Sequence, residues 1–397
     1  MTFARAIRCA GLALLAAAVT VPAAAPAQAP TGSATLSASL GMRIDGRLWR
    51  QHAGVFVAGA GDVNGDGLAD VLIGTAESHR IGPGLPAPNW NLYVVFGRRG
   101  ARGRVVRLDR LAAGGLHLLR HQGGFSAGAG VADVNGDGHR DVVVGSPYLG
   151  GREGGAFVVT RARRRGATID TRAPENGWYR IAGAGGSAAG WSVASAGDQN
   201  RDGLNDLLIG SLPGRPFLAS SSGPSSAYVV YGSRAARDVG LATLGAAGAV
   251  LLDETSGDRA GQSVAGVGDV TGDGRPDLLV GAPLADPLGV HASGSAFLVP
   301  GGALAPVVGL RYQTASGGRR FDGRGAYDTA GWAVAGLGDV NGDGARDIAV
   351  AAPRTDFVRE QSGSVYVIYG RERTMPHGGV KKGVGGGRSE RGLARRR

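Results

Sequence analysis

The stretch GDVNGDGLADVLIG, Gly61 to Gly74, sets Asp62, Asn64, Asp66 and Asp70 within nine residues and then runs into the apolar VLIG. The pattern returns as ADVNGDGHRDVVVG (132 to 145), GDQNRDGLNDLLIG (197 to 210), GDVTGDGRPDLLVG (268 to 281) and GDVNGDGARDIAVA (338 to 351). The first aspartates, Asp62, Asp133, Asp198, Asp269 and Asp339, are 71, 65, 71 and 70 residues apart. Such a period identifies a repeat architecture before any single site is considered.

The flanks repeat as well. Upstream stand GVFVAGAGD (54 to 62), GFSAGAGVAD (124 to 133), GWSVASAGD (190 to 198), GQSVAGVGD (261 to 269) and GWAVAGLGD (331 to 339), and the extra residue of the second predicts a bulge there. Downstream, after a variable loop, come NLYVVFG (91 to 97), GGAFVVT (154 to 160), SAYVVYG (226 to 232), GSAFLVPG (294 to 301) and SVYVIYG (364 to 370), with the aromatic and β-branched content of strands. A weaker segment precedes each unit: MRIDG (42 to 46), GLHLLR (115 to 120), WYRIAG (178 to 183), AVLLDE (249 to 254) and RRFDG (319 to 323). Four short strands per unit, Gly-rich turns and little helical periodicity predict an all-β fold, a β-propeller of four-stranded blades with five repeat units visible. No blade buries both faces alone, so residues 30 to 370 read as one domain.

Counted from the first Asp, positions 1, 3, 5 and 9 supply hard oxygen donors, and position 6 is always Gly. The candidate ligands are Asp62, Asn64, Asp66 and Asp70; Asp133, Asn135, Asp137 and Asp141; Asp198, Asn200, Asp202 and Asp206; Asp269, Thr271, Asp273 and Asp277; and Asp339, Asn341, Asp343 and Asp347. Alternating oxygens around a sharp Gly turn suit Ca²⁺, and without a cation three close carboxylates repel one another. Up to five Ca²⁺ sites are expected, structural first. An EF-hand is excluded because position 12 is Ile73, Val144, Ile209, Val280 or Val350 rather than Glu, between strands rather than helices. Loop three, with Gln199 and Arg201, and loop four, with Thr271, are expected to bind more weakly.

The first 29 residues read as a secretion signal, with Arg5 and Arg8 before an apolar run and AQA at 27 to 29. The single cysteine, Cys9, lies within that segment, so a secreted mature chain has no disulfide. No stretch reads as a transmembrane anchor. Of the formal charge of +11, residues 371 to 397 carry +7 and the first 29 residues +2, so the body is nearly neutral and specific nucleic-acid binding is not expected. The Gly- and Arg-rich tail reads as disordered, with weak attraction to anionic polymers as its functional reading.

The Gly-aromatic strand starts, the D-x-[NT]-x-D-G-x-x-D loop and the GAP after the next strand resemble the FG-GAP repeat family, best known from the β-propeller heads of integrin α subunits. The resemblance implies a secreted or cell-surface propeller with Ca²⁺ in its blade loops and a role in adhesion or ligand binding. It implies seven blades where five units are visible here.

The reading is therefore a non-enzymatic module that binds an extracellular or cell-surface protein or glycan through loops 76 to 90, 147 to 153, 211 to 225, 283 to 293 and 353 to 362. Trp90, Tyr148, Phe217, His291 and Phe357 are its candidate aromatic anchors. The alternative is a secreted hydrolase with a cross-blade active site. Neither an H-E-x-x-H nor a G-x-S-x-G motif supports it, and the seven His do not follow the period.

Overall fold

The computed structural model describes residues 41–46, 52–76, 90–111, 114–121, 126–150, 153–160, 168–170, 177–212, 224–235, 237–311, 317–356 and 362–370. The expected leader, the basic tail, Phe217 and Phe357 lie outside them. Among the described residues the chain is all-β, with short 3₁₀ turns in place of helices.

Five strands converge on the centre: β2 (Ala53–Gly61), β7 (Ala127–Val131), β12 (Ala189–Gly197), β17 (Ser263–Gly268) and β22 (Ala333–Gly338). Each turns at its aspartate loop into a second strand, namely β3 (Asp70–Ala76), β8 (Asp141–Gly145), β13 (Asp206–Ser211), β18 (Asp277–Ala282) and β23 (Asp347–Ala352). Strands β8, β13 and β18 are buried at every position, which is why their sequences are apolar runs rather than alternations. The third strands are β4 (Trp90–Val95), β9 (Gly155–Val159), β14 (Pro224–Val230), β19 (Ser295–Val299) and β24 (Ser364–Ile368). Antiparallel ladders join first, second and third strands in all five blades.

The fourth strands correct the phase of the repeat. β6 (Gly115–His121), β11 (Trp178–Ala182), β16 (Gly248–Ser256) and β21 (Arg319–Asp322) each pair with the third strand that precedes them. Each of these four weak segments thus closes the blade before the unit it was read with, whereas MRIDG supplies β1 of a separate sheet. A fifth strand, invisible in the repeat pattern, runs parallel to the outer edge of blades one to three: β10 (Thr168–Asp170) on β6, β15 (Val239–Gly240) on β11 and β20 (Val307–Gly309) on β16. β1 (Arg43–Asp45) pairs with β5 (Val105–Arg107) in the same parallel way, as a separate two-stranded sheet.

The bulge expected in repeat two is absent from its ladder, which runs from Ala127–Gly145 to Val131–Asp141 without a shift. Its four siblings shift register just before their first Asp instead. There Gly61, Gly197, Gly268 and Gly338 adopt positive φ of 68°, 76°, 69° and 75°, and repeat two has Ala132 in that place. A bulge that needs a left-handed Gly does not form at Ala.

The core lies between blades. One cluster joins Leu72 and Leu92 of blade one to Val142 and Phe157 of blade two, and further clusters join each following pair up to Leu279 and Ile348 of blades four and five. Hydroxyls bridge the inner strands: Ser126 donates to Gly190 O (2.7 Å), Ser192 to Gly261 O (2.8 Å) and Ser263 to Gly331 O (2.9 Å). The five inner strands line a narrow central cavity of about 30 Å³.

Candidate functional site

An antiparallel meander sends its connections to two ends. The aspartate loops lie at one end, and the loops between second and third strands lie at the other, beside the connections that enter the next inner strand.

At the first end, the first and ninth aspartates do different work. Asp62 Oδ1 accepts N–H groups from Gly65 (2.7 Å) and Asp66 (3.0 Å), and Oδ2 accepts Gly67 N–H (2.7 Å), so this side chain folds the turn. Asp133 and Asp339 do the same with the N–H groups of Gly136 and Gly138 and of Gly342 and Gly344. Asp269 takes Gly272 and Gly274, and Asp198 takes Asp202 and Gly203. At Asp133 burial opposes ionisation but its backbone donors outweigh it, and the donors led by Gly344 act alike at Asp339, so both carboxyls lie below the usual range.

The ninth aspartate is buried and ties the loop to the end of the third strand. Asp70 accepts Val63 N–H at 2.9 Å and Gly97 N–H at 2.8 Å. Asp206 accepts Gln199 and Gly232, Asp277 accepts Val270 and Gly301, and Asp347 accepts Val340 and Gly370. Asp141 accepts Val134 N–H at 2.9 Å, while its Oδ1 has no partner among the described residues. Desolvation pushes Asp141 and Asp206 up to about 7, against their backbone donors. Desolvation also raises Asp70 and Asp277.

Position 5 folds its own turn through the N–H two residues on, as Asp66 does with Leu68 and Asp137 with His139. Position 3 varies. Asn135, Asn200 and Asn341 each accept the N–H of the following Asp, whereas Thr271 Oγ1 reaches Asp277 Oδ1 at 3.4 Å. Both polar atoms of the Asn64 side chain are buried without a partner. The carbonyl oxygen of Asn64 is thus an acceptor still to be filled, beside Asp62 and Asp66. As they stand, the described His, Cys, Asp and Glu side chains form no group of three placed to hold a metal. The oxygen-only donor set is nonetheless of the hard kind that Ca²⁺ takes.

Loop three departs for a structural reason that its spacing does not disclose. Gln199 is fully buried, donates from Nε2 to Ala196 O and Pro276 O at 2.7 Å each, and accepts Gly302 N–H at 3.2 Å, so it pins blade three to blade four.

At the opposite end, blades four and five form a rim. The His291 and Tyr327 rings meet edge to face at 5.1 Å, Tyr327 N–H donates to His291 O at 2.9 Å, and Asp286 faces His291 Nδ1 at 3.3 Å. Leu288 beside them is 91% exposed and Tyr327 55%. Leu288, Ala292, Tyr327 and Thr329 all adopt positive φ, at 55°, 47°, 65° and 56°. Of the expected anchors, His291 is in this cluster, Tyr148 is half-exposed in another loop, and Trp90 begins β4. Tyr327 was missed because it lies on the next blade's entry connection, whose contact with loop 283 to 293 no spacing reveals.

A family model described as FG-GAP repeat matches residues 125–159, 260–299 and 330–368. Human integrin alpha-7 is 31% identical over 216 residues, 53% of this chain and 16% of that protein. Integrin alpha pat-2 of Caenorhabditis elegans is 30% identical over 248 residues, 58% of this chain and 18% of that protein. The phosphatidylinositol-glycan-specific phospholipase D of Mus musculus is 30% identical over 192 residues, 46% of this chain and 20% of that protein. The chain spans a fifth or less of the length of these relatives.

Proposed function

The chain carries FG-GAP repeats in a five-bladed propeller, and from that premise we propose that it is a Ca²⁺-binding adhesion or ligand-binding module, secreted or held at the cell surface, that engages an extracellular protein or glycan through its blade loops. The observation that carries the binding reading is the rim of Leu288, His291 and Tyr327. An exposed aromatic pair and an exposed leucine are held there on strained backbone, and strain of this kind collects where a surface must be presented in one shape.

The Ca²⁺ reading rests on five loops with one donor pattern and on the unfilled amide of Asn64. When bound, the ion would neutralise the carboxylates that otherwise repel one another; the residues that would hold it are those at positions 1, 3, 5 and 9. The hydrolase alternative shares a name with one relative, yet the central cavity is small and its two serine hydroxyls, Ser192 and Ser263, are engaged in bridging strands. The two relatives named as integrins favour the binder.

Two experiments test this reading. Thermal unfolding across a Ca²⁺ titration, with Mg²⁺ and chelator as controls, is expected to show a rise specific to Ca²⁺; at ten times its Kd a single site adds about 1.4 kcal/mol. A flat response removes the metal from the proposal. In binding to arrayed extracellular-matrix proteins and glycans, the double substitution His291→Ala and Tyr327→Ala is expected to lower affinity at least tenfold with little change in melting temperature. Turnover of ester or phosphodiester substrates by homogeneous protein would replace the binder with the hydrolase.

A further inference from the structure

A second surface lies at the aspartate-loop end, away from the rim. The connection from β4 to β6 leaves its strand at Gly97, whose N–H caps Asp70 at 2.8 Å. Between residues 98 and 110 it carries six arginines against one acid, Asp109, a local net charge of +5 in a body that is otherwise close to neutral. Arg98, Arg104, Arg107 and Arg110 line a concavity of about 230 Å³ floored by Val95 and Leu111. The Arg98 guanidinium lies against Gly114 at the edge of this recess.

The one acid is already engaged. Arg107 grips Asp109 through Nε and Nη2 at 3.0 and 2.8 Å, a bidentate pair. Arg98 and Arg104 are exposed and have no carboxylate partner among the described residues. Forked donors that converge on a recess without a matching internal anion are complementary to an external oxyanion.

We propose that this concavity binds the sulfate groups of an acidic polysaccharide. Guanidinium forks match sulfate oxygens in pairs, and the aliphatic floor suits the C–H face of a sugar ring. Nucleic acid fits less well because no aromatic side chain lines the recess for a base to stack on. A bilayer fits less well because the arginines border a hollow beside β5 rather than an amphipathic helix with an apolar face to insert. The site is separate from the rim and does not rest on the function proposed above.

The test uses the full chain on an immobilised sulfated polysaccharide across a salt series, with unsulfated dextran as blank. Two variants are compared: Arg98→Gln with Arg104→Gln in the concavity, and Arg395→Gln, Arg396→Gln and Arg397→Gln in the basic tail. The concavity variant is expected to lose at least tenfold in affinity and to lower the slope of log affinity against log salt by about 2, by analogy with released counterions on other polyanions. The tail variant is expected to change little. Should the concavity variant melt lower than the parent, Arg98→Lys with Arg104→Lys keeps the charge and removes the fork; an intermediate loss of affinity supports the site, and an unchanged affinity overturns it. Loss confined to the tail variant, or equal in both, overturns the proposal. Tighter binding to polyphosphate or to phosphatidylserine vesicles overturns the assignment to a polysaccharide.

Discussion

The repeat writes Asp at positions 1 and 9 with one letter, yet in loop two the two groups titrate in opposite directions. Asp133 is held low by the N–H groups it collects against burial, and Asp141, eight residues on, is pushed by burial to about 7. In metal-free protein the native state therefore keeps protons on Asp141 and Asp206 that the unfolded chain, with a carboxyl pKa near 3.8, has already released. Their contribution is full below about pH 4 and is lost as pH rises toward 7, with an upper limit of about 4 kcal/mol per group. Chelated protein is thus expected to melt higher at pH 5 than at pH 8. Asp141→Asn keeps the acceptor for Val134 N–H and should flatten part of that slope; an unchanged slope would place the effect elsewhere. Because Ca²⁺ requires ionised ligands, its stabilisation should grow over the same pH range. A second prediction concerns Arg201, which sits at φ 63° where four sibling loops place Gly at 76° to 81°. Arg201→Gly relieves a left-handed side chain at some cost in unfolded-state entropy, for a net gain of roughly 0.5 kcal/mol in urea unfolding. A loss of stability would mean that the Arg201 side chain has a role of its own.

At the scale of strands and blades, the joints are held by single hydroxyls as well as by apolar packing. Ser263→Ala removes a buried donor to Gly331 O and leaves that carbonyl without this bond, an expected loss of about 1 to 2 kcal/mol in urea unfolding. What the sequence made legible follows from the same physics. The first, second and third strands were readable because central burial writes them as long aliphatic or aromatic runs at a fixed distance from the aspartates. The three-residue edge strands at Val105–Arg107, Thr168–Asp170 and Val307–Gly309 were not, because they are too short to show a period and two of the three residues of β5 face solvent. Blade phase was hidden for a related reason. RRFDG reads the same whether it closes the sheet before it or opens the one after it, and only the ladder to Ser295–Leu298 decides. The donor pattern of the loops was plain in the sequence, but the division of labour between first and ninth aspartates was not, since Gly97 lies 27 residues from Asp70.

At the scale of the whole molecule, blade five differs from its siblings at its outer edge. Among the described residues β24 has no fourth strand in its sheet, and Val365 and Val367 on it are 67% and 47% exposed, whereas β9 and β19 are buried throughout. Val340, the second residue of loop five, is 52% exposed, where Val63 and Val134 are at 1% and 0%. The inner strand of blade five has Ala333 in the place of Ser192 and Ser263, so the hydroxyl bridge of the earlier joints is not available to join it to blade one. The missing strand has a counterpart at the start of the chain. MRIDG at 42 to 46 matches RRFDG at 319 to 323, and SVYVIYG matches the SAFLVPG with which RRFDG pairs. Carrying over the pairs Ala296–Phe321 and Ser295–Asp322 sets Val365 opposite Ile44 and Ser364 opposite Asp45. We expect β1 to add to β24 antiparallel in this register and close the ring. In a Cys9→Ala background the pair Ile44→Cys and Val365→Cys should then oxidise to an intramolecular disulfide, which requires Cα atoms within about 7 Å. A cross-linked monomer that melts higher than its reduced form fits closure. A disulfide-linked dimer instead would mean that β1 completes blade five of another copy, and free thiols under oxidising conditions would mean that the fifth blade keeps an open edge.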